Sequence, residues 1–198
     1  GSYAAAAGEV DEGVQMMTRG VAMLEAAGGA EDPYALHGKR RLAHYLSRMG
    51  RYEESLRMLE QVYASTKRLY GSVHVRSAVT AFALADQYIA ADRAAEAIPL
   101  VREGMAAISE IHGAGSSRLA PGAELLGRAL ALEGEFARAR DVVTRTLATL
   151  GIDSPGERES TINLTFVLAG IDQDEGRLDD AVRNLERAIE VAKGHPSS

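Results

Sequence analysis

Cysteine and tryptophan are both absent from this 198-residue chain. The missing cysteine removes disulfides, thiolate nucleophiles and cysteine-based zinc sites together. Aromatic residues make up only 5% of the sequence, which sets it against a β-rich fold and suits close-packed helices better. No apolar run approaches the roughly 20 residues that span a bilayer, and no signal-peptide pattern is visible, so a soluble, cytoplasmic protein without membrane contact is expected. Positive charge is also in deficit: 22 Lys and Arg against 28 Asp and Glu leave a net charge of −6, and the bulk field does not favour nucleic acid.

What the chain has instead is a repeat. Gly50-Arg51-Tyr52-Glu53-Glu54-Ser55-Leu56 reads as a tight turn between two helices, with Gly50 supplying the φ > 0 that ends the first. Gly134-Glu135-Phe136-Ala137-Arg138-Ala139 and Gly176-Arg177-Leu178-Asp179-Asp180-Ala181 have the same shape. Asp92-Arg93-Ala94-Ala95-Glu96-Ala97-Ile98 is a variant without the glycine, and Gly8-Glu9-Val10-Asp11-Glu12-Gly13-Val14 reads as a fifth copy. The anchors at 8, 50, 92, 134 and 176 are each 42 residues apart. A constant period of this size marks an array of helical repeats.

Taken in order, Val10, Val14, Met17, Val21 and Leu24 form one helical stripe that ends at Gly28-Gly29. Asp32 is placed to cap the next helix, with Pro33 in its first turn. That helix runs to Met49, and its partner runs from Tyr52 to Tyr70. A third pair brackets the Asp92 turn, with Pro99 early in its second helix, where few backbone bonds are lost. His112 to Pro121 reads as the longest loop, and Asp153-Ser154-Pro155-Gly156 as the turn before the fifth pair. The last helix stops at Gly194-His195-Pro196 with no polar capping helix after it. Gly1-Ser2 is read as a cloning scar, leaving residues 3–198 as a single solenoid domain.

Aligned on the turn, the copies share a pattern. Eight residues before it stand Leu42, Leu84, Leu126 and Leu168, followed by the small residues Ala43, Ala85, Gly127 and Ala169. Four before it are Leu46, Tyr88 and Leu130, from which Asp172 departs. Five after it are Gly13, Ser55, Ala97, Ala139 and Ala181, again small, and nine after it Met17, Leu59, Val101, Val143 and Leu185. This pattern closely resembles the tetratricopeptide repeat, and the 42-residue period resembles its kinesin-light-chain variety. The resemblance implies an all-α, right-handed superhelix of antiparallel helix pairs, about nine helices in all, whose concave groove binds a protein or peptide without chemistry. The paired asparagines that this variety often carries before the repeated leucine are replaced here by Arg40-Arg41, Phe82-Ala83, Glu124-Leu125 and Phe166-Val167, so the kinesin ligand does not carry over.

On a helical wheel, His37, Arg41, His44 and Arg48 share one narrow face with Arg40 beside them, opposite Leu42, Tyr45, Leu46 and Met49. In the repeat family that face lines the groove. From Lys39 to Arg76 nine basic residues face three acids, a local excess of +6 inside an acidic protein. Guanidinium forks pair with carboxylates, so an acidic partner segment is expected here. Val79, Phe82 and Asp86 continue the site on the next first helix, with Phe82 expected to offer an apolar pocket and Phe166 expected to pack between repeats. The bland alternative is a solvated charged face.

Enzyme chemistry finds no foothold, and no cofactor is implied. Arg41 stands where a two-histidine metal helix carrying His37 would need its second ligand. Asp172, Asp174, Asp179 and Asp180 lack the spacing of a calcium loop and read as flanks of an exposed turn. Gly113-Ala114-Gly115-Ser116-Ser117 has no phosphate-loop lysine, and Asn163-Leu164-Thr165 is a sequon inside a helix. The expected function is a protein–protein interaction scaffold. The alternative is a sensing or assembly region of a larger regulatory protein, a bacterial kinase or transcription regulator for example, with homo-oligomerisation through incomplete terminal repeats as a linked expectation.

Overall fold

The computed structural model describes residues 2–151 and 154–194, with side chains from residue 12 onward. Asp153 of the last expected connecting turn, and His195-Pro196, lie outside the described residues. The chain falls into two compact units, Gly1–Gly71 and Ser72–Ser198. Among the described residues there are nine α-helices and no strand.

Unit 1 contains α1 (Ser2–Gly28), α2 (Pro33–Arg48) and α3 (Tyr52–Tyr70). The carboxylate of Asp32 accepts hydrogen bonds from the backbone N–H groups of Tyr34 and Ala35, as the sequence predicts for the cap of α2. Leu42, Leu46, Leu56, Leu59 and Val62 close the α2–α3 hairpin from the inside. Ser55 takes the small position on α3, and its hydroxyl donates to the Ala43 carbonyl across the hairpin at 2.7 Å.

One expectation fails in this unit. Helix α1 passes through Gly8 without a turn. A helical glycine costs only about 1 kcal/mol relative to alanine. Ala4 to Ala7 are the strongest helix formers and lead directly into Val10 and Val14, so continuing costs less than reversing. The repeat register survives in α1, but its first turn does not.

Unit 2 contains α4 (Val75–Ala90), α5 (Ala94–His112), α6 (Ala120–Leu132), α7 (Phe136–Leu147), α8 (Pro155–Asp174) and α9 (Leu178–Ala192). The expected long loop before α6 is mostly folded: Ser117–Leu119 forms a 3₁₀ turn leading straight into the helix. Helix α5 accommodates Pro99 and continues unbroken to His112. Helices α4, α6 and α8 lie side by side, with α5, α7 and α9 backing them, around a core that includes Ala85, Ala97, Val101, Leu126, Leu130, Val143 and Leu164.

The four turns inside the pairs α2–α3, α4–α5, α6–α7 and α8–α9 share one hydrogen-bond pattern. The N–H groups of Arg51, Arg93, Glu135 and Arg177 reach back five residues to the carbonyls of Leu46, Tyr88, Leu130 and Asp172, at 2.9, 2.8, 2.8 and 2.7 Å. This is the Schellman closure, which requires a left-handed residue. Gly50, Gly134 and Gly176 supply it with φ of 75° each, and Asp92 supplies it at 58°. Asp and Asn tolerate that region better than most residues because their short polar side chains bond locally.

An ion pair brackets each turn on the side of the second helix. Arg51 pairs with Glu54 at 2.7 Å, Arg93 with Glu96 at 2.9 Å, and Arg177 with Asp180 at 2.6 Å. In the remaining copy the charges are exchanged, and Glu135 pairs with Arg138.

Candidate functional site

The predicted basic residues sit on α2 in unit 1. His37, Arg41, His44 and Arg48 are exposed and Arg40 is half-buried. Arg40 leans on His37, with Nη2 at 3.4 Å from Nδ1. Arg41, His44 and Arg48 have no carboxylate partner among the described residues. Lys39 differs, since it is tied to Glu25 of α1 at 2.5 Å.

Arg41 and His37 form the rim of a cleft of about 830 Å³ between α1 and α2. Its floor comes from Val14, Met17, Val21 and Leu24, and Tyr34 and Tyr45 close its sides. The cause lies in the repeat. Leu59, Val101 and Val143 are almost fully buried, each in a repeat with helices on both sides of it, whereas Leu185 on α9 is 39% exposed. Met17 occupies the same place on α1, and among the described residues no first helix stands in front of it. Part of an apolar stripe, half-buried Val14 and Met17 and exposed Leu24, therefore stays accessible beside Arg41 and His37, while Val21 is buried.

Val79, Phe82 and Asp86 belong to α4 in unit 2, and the structure does not draw them together as a site. Val79 is exposed, and Asp86 is half-buried and paired with Arg128 at 3.4 Å. Phe82 is 9% exposed and packs into the core, which corrects the expectation of an apolar groove pocket. Glycines make the socket: a β-carbon added at Gly104 would come within 2.5 Å of the Phe82 ring, and one at Gly122 within 2.8 Å. Phe166, expected to pack between repeats, is 51% exposed. The two phenylalanines exchange roles because their neighbours differ in size. The sequence signal lay in the pair of glycines together with the aromatic: Gly20 and Gly38 repeat the pair two registers earlier, but the column of Phe82 there holds Arg40, and the other copies have Val62, Thr146, Thr80 and Leu164.

Exposed Phe166 belongs to a second groove, of about 590 Å³, across the first helices of unit 2. Glu124, Arg128 and Leu132 of α6 face Asn163, Phe166, Gly170 and Asp174 of α8, with Ile89 of α4 at one side. Each of these positions from 124 onward has a counterpart at the same register in the face described for α2. Arg40 corresponds to Glu124 and Phe166, His44 to Arg128 and Gly170, and Arg48 to Leu132 and Asp174. The pairing of Arg128 with Asp86, 42 residues apart, is a direct contact between equal positions of neighbouring repeats. Burial raises the pKa of Glu124, Arg128 pulls it back, and Asp86 pushes it up again, leaving it above the ordinary glutamate value.

The carboxylate cluster near the last turn also differs from expectation. Asp174 and Asp179 are exposed, but Asp172 is completely buried on α8. Its Oδ2 accepts a hydrogen bond from Asn184 at 2.7 Å. Its Oδ1 has no hydrogen bond of good geometry among the described residues, and its charge is met by Arg140 at 2.6 Å and Arg177 at 3.6 Å. Burial works against the charge of Arg140, but Glu175 and Asp172 outweigh it and hold its pKa above the usual value. Three apolar columns turn polar together here. Arg140 stands where other repeats have Leu56, Ile98 and Val182; Asp172 where they have Leu46, Tyr88 and Leu130; Asn184 where they have Met58, Leu100 and Val142. That joint departure was the readable sign of the network.

Among the described residues no group of three His, Cys, Asp or Glu side chains is arranged to hold a metal ion, and no helix is long and apolar enough to cross a membrane. The groove surfaces can bind, by burying carbon and pairing charge.

Comparison with known proteins agrees with this architecture. Residues 34–109 match the tetratricopeptide repeat family. A structure of the nearly identical TPR-like repeats of a kinesin light chain from Podosopora anserina is 25% identical, covers 96% of this chain and 90% of its own, and superposes with a TM-score of 0.75. Its Q17M variant is 24% identical over 93% of this chain and 87% of its own, with a TM-score of 0.76. BtubC (BKLC) from P. vanneervenii shares the fold at 17% identity, with a TM-score of 0.77 over 96% of this chain and 78% of its own. No curated protein matches the sequence significantly. The four Schellman turns in one 42-residue register and the likeness to these structures show a helical-repeat solenoid fold, and the match over residues 34–109 supports a tetratricopeptide-repeat array of the kinesin-light-chain-like kind.

Proposed function

We propose that unit 1 docks an acidic segment of a partner protein that carries an apolar anchor. A tetratricopeptide array is in general a scaffold for protein–protein interaction. The finer reading rests on one observation: half-buried Met17 and exposed Leu24 meet the unpaired guanidinium of Arg41 in a single cleft. Burying such carbon is worth about 25 cal/mol per Å², and a carboxylate at the rim adds register through Arg41 and Arg48. The apolar anchor is thereby assigned to α1 and not to Phe82. Recognition without catalysis, in the cytoplasm, completes the proposal.

Affinity measured against an acidic helical peptide with one leucine face tests it. Arg41→Glu with Arg48→Glu should abolish binding and leave the melting temperature within a degree or two, because neither side chain is buried or paired. Unchanged affinity would remove the proposal. The second reading is pairing with another copy of this chain. Exposed Met16 and Met23 on α1, and Leu178 and Val182 on α9, favour it. A concentration-independent monomer in analytical ultracentrifugation would exclude that reading.

A further inference from the structure

The groove of unit 2 differs in charge from the α2 face of unit 1, although both faces use the same positions of the repeat. We infer that it binds an extended segment of another protein in which an aromatic or aliphatic side chain stands between two lysines or arginines. The inference is independent of the proposal for unit 1.

The anchor part comes from exposed carbon. Phe166 and Leu132 are 51% and 57% exposed, on facing helices, with Ile89 and Val167 beside them. A β-carbon at Gly170 would meet nothing within 4 Å, so the groove floor is open between the two ridges for an incoming side chain. Exposed aromatic and aliphatic carbon in a concave site is the usual seat of an interface anchor.

The sign of the flanking charge comes from which groups are already engaged. Arg128 is held by Asp86 at 3.4 Å. Glu124 and Asp174 have no hydrogen bond or ion pair among the described residues. Two such carboxylates would repel an acidic segment and attract a cationic one. Glu124 is half-buried and has lost part of its hydration, so an arriving ammonium or guanidinium restores what burial removed.

Spacing sets the form of the ligand. In the repeat register Glu124 and Asp174 differ by two helical turns, about 12 Å along the helix axis. Because the two residues stand on neighbouring helices whose axes lie about 8–10 Å apart, the full separation is roughly 15 Å. An extended peptide rises about 3.3 Å per residue, so cations roughly four residues apart, with the anchor midway, reach both carboxylates through their flexible side chains. Asn163, exposed one turn before Phe166, offers an amide to the peptide backbone.

Fluorescence anisotropy with labelled peptides tests this on the intact chain. A peptide with the core Lys-Ser-Phe-Ser-Lys should bind saturably. Its Glu-Ser-Phe-Ser-Glu and Lys-Ser-Ser-Ser-Lys counterparts should bind roughly tenfold more weakly or not at all, tenfold being about 1.4 kcal/mol. The near-isosteric pair Glu124→Gln and Asp174→Asn should cost the lysine peptide a similar factor, and Gly170→Trp, which fills the floor, should block it. Arg41→Glu with Arg48→Glu should leave it unchanged, which separates this site from the unit 1 cleft. The inference is overturned if the glutamate peptide binds as well as the lysine peptide, if the amide variants retain full affinity, or if no peptide binds saturably at millimolar concentration.

Discussion

The face that carries His37, Arg41, His44 and Arg48 on α2 and the face that carries Asn163, Phe166, Gly170 and Asp174 on α8 occupy equivalent positions of the same repeat. One is cationic; the other is apolar with a carboxylate at its end. Behind both, Leu42 and Leu168, Ala43 and Ala169, and the hairpin turn stay alike. The repeat thus separates two jobs by position. Columns that touch the second helix are held by packing, because a buried leucine is worth about 1.5–3 kcal/mol and has no alternative of equal shape. Columns that face the groove carry no packing requirement common to all repeats and take either charge, as Asp86 and Arg128 do at one position. Phe82 breaks that separation: by register it is a groove residue, by contact it is core.

The sharpest way to probe the exception is Phe82→Ala. If the ring is core, its loss leaves Gly104 and Gly122 facing a void and should cost about 3–5 kcal/mol in denaturant unfolding. The same change at exposed Phe166 should cost well under 1 kcal/mol. Equal losses at the two sites would return Phe82 to the groove.

The second probe is Asp172, a scaffold column that has become polar. Asp172→Ala leaves Arg140 and Asn184 without their shared acceptor and should cost about 3 kcal/mol, at the lower end for a buried pair because Arg140 is partly solvated. Restoring the apolar pattern of the other repeats at both places, Asp172→Leu with Arg140→Leu, should come within about 1 kcal/mol of the parent. A double variant as unstable as the single one would show that the network does more than fill apolar positions.

The smallest effect concerns Glu124. Its folded pKa is raised, so the protonated form suits the fold better, and its stabilising contribution is present at low pH and lost as pH rises through the folded value. Glu124→Gln should therefore raise Tm slightly at neutral pH and leave it unchanged in the acid range. A Tm difference independent of pH would contradict this.

The turns, the helix pairs and the 42-residue ruler were legible from Gly50, Gly134 and Gly176, because glycine directly after an apolar stripe is the residue that most readily takes the left-handed conformation closing a helix. Asp92 was legible only through its place in the ruler. Gly8 fits the same ruler and forms no turn: the ruler predicts a position, but a turn also needs a helix to fold back on. Of the candidate site, the cationic face was visible on a helical wheel. Its apolar floor was not, since whether Met17 and Leu24 are covered depends on a helix that the described residues do not provide. The exchange between Phe82 and Phe166 was hidden because side-chain burial depends on glycines twenty and forty positions away in sequence, not on the period itself.

The inverted ion pair between Glu135 and Arg138 has a consequence for inheritance and engineering. Each turn carries a two-letter charge spelling, and one of the four is written backwards. Repeats of this kind are exchangeable as modules only when both letters travel together. A crossover or designed splice falling between positions 135 and 138 would bring together two like charges, Glu with Glu or Arg with Arg, at the start of a helix. A join placed in the preceding helix would transfer the pair intact. The productive seams of this chain therefore lie inside its helices and not at its turns, contrary to where one would cut a solenoid by eye.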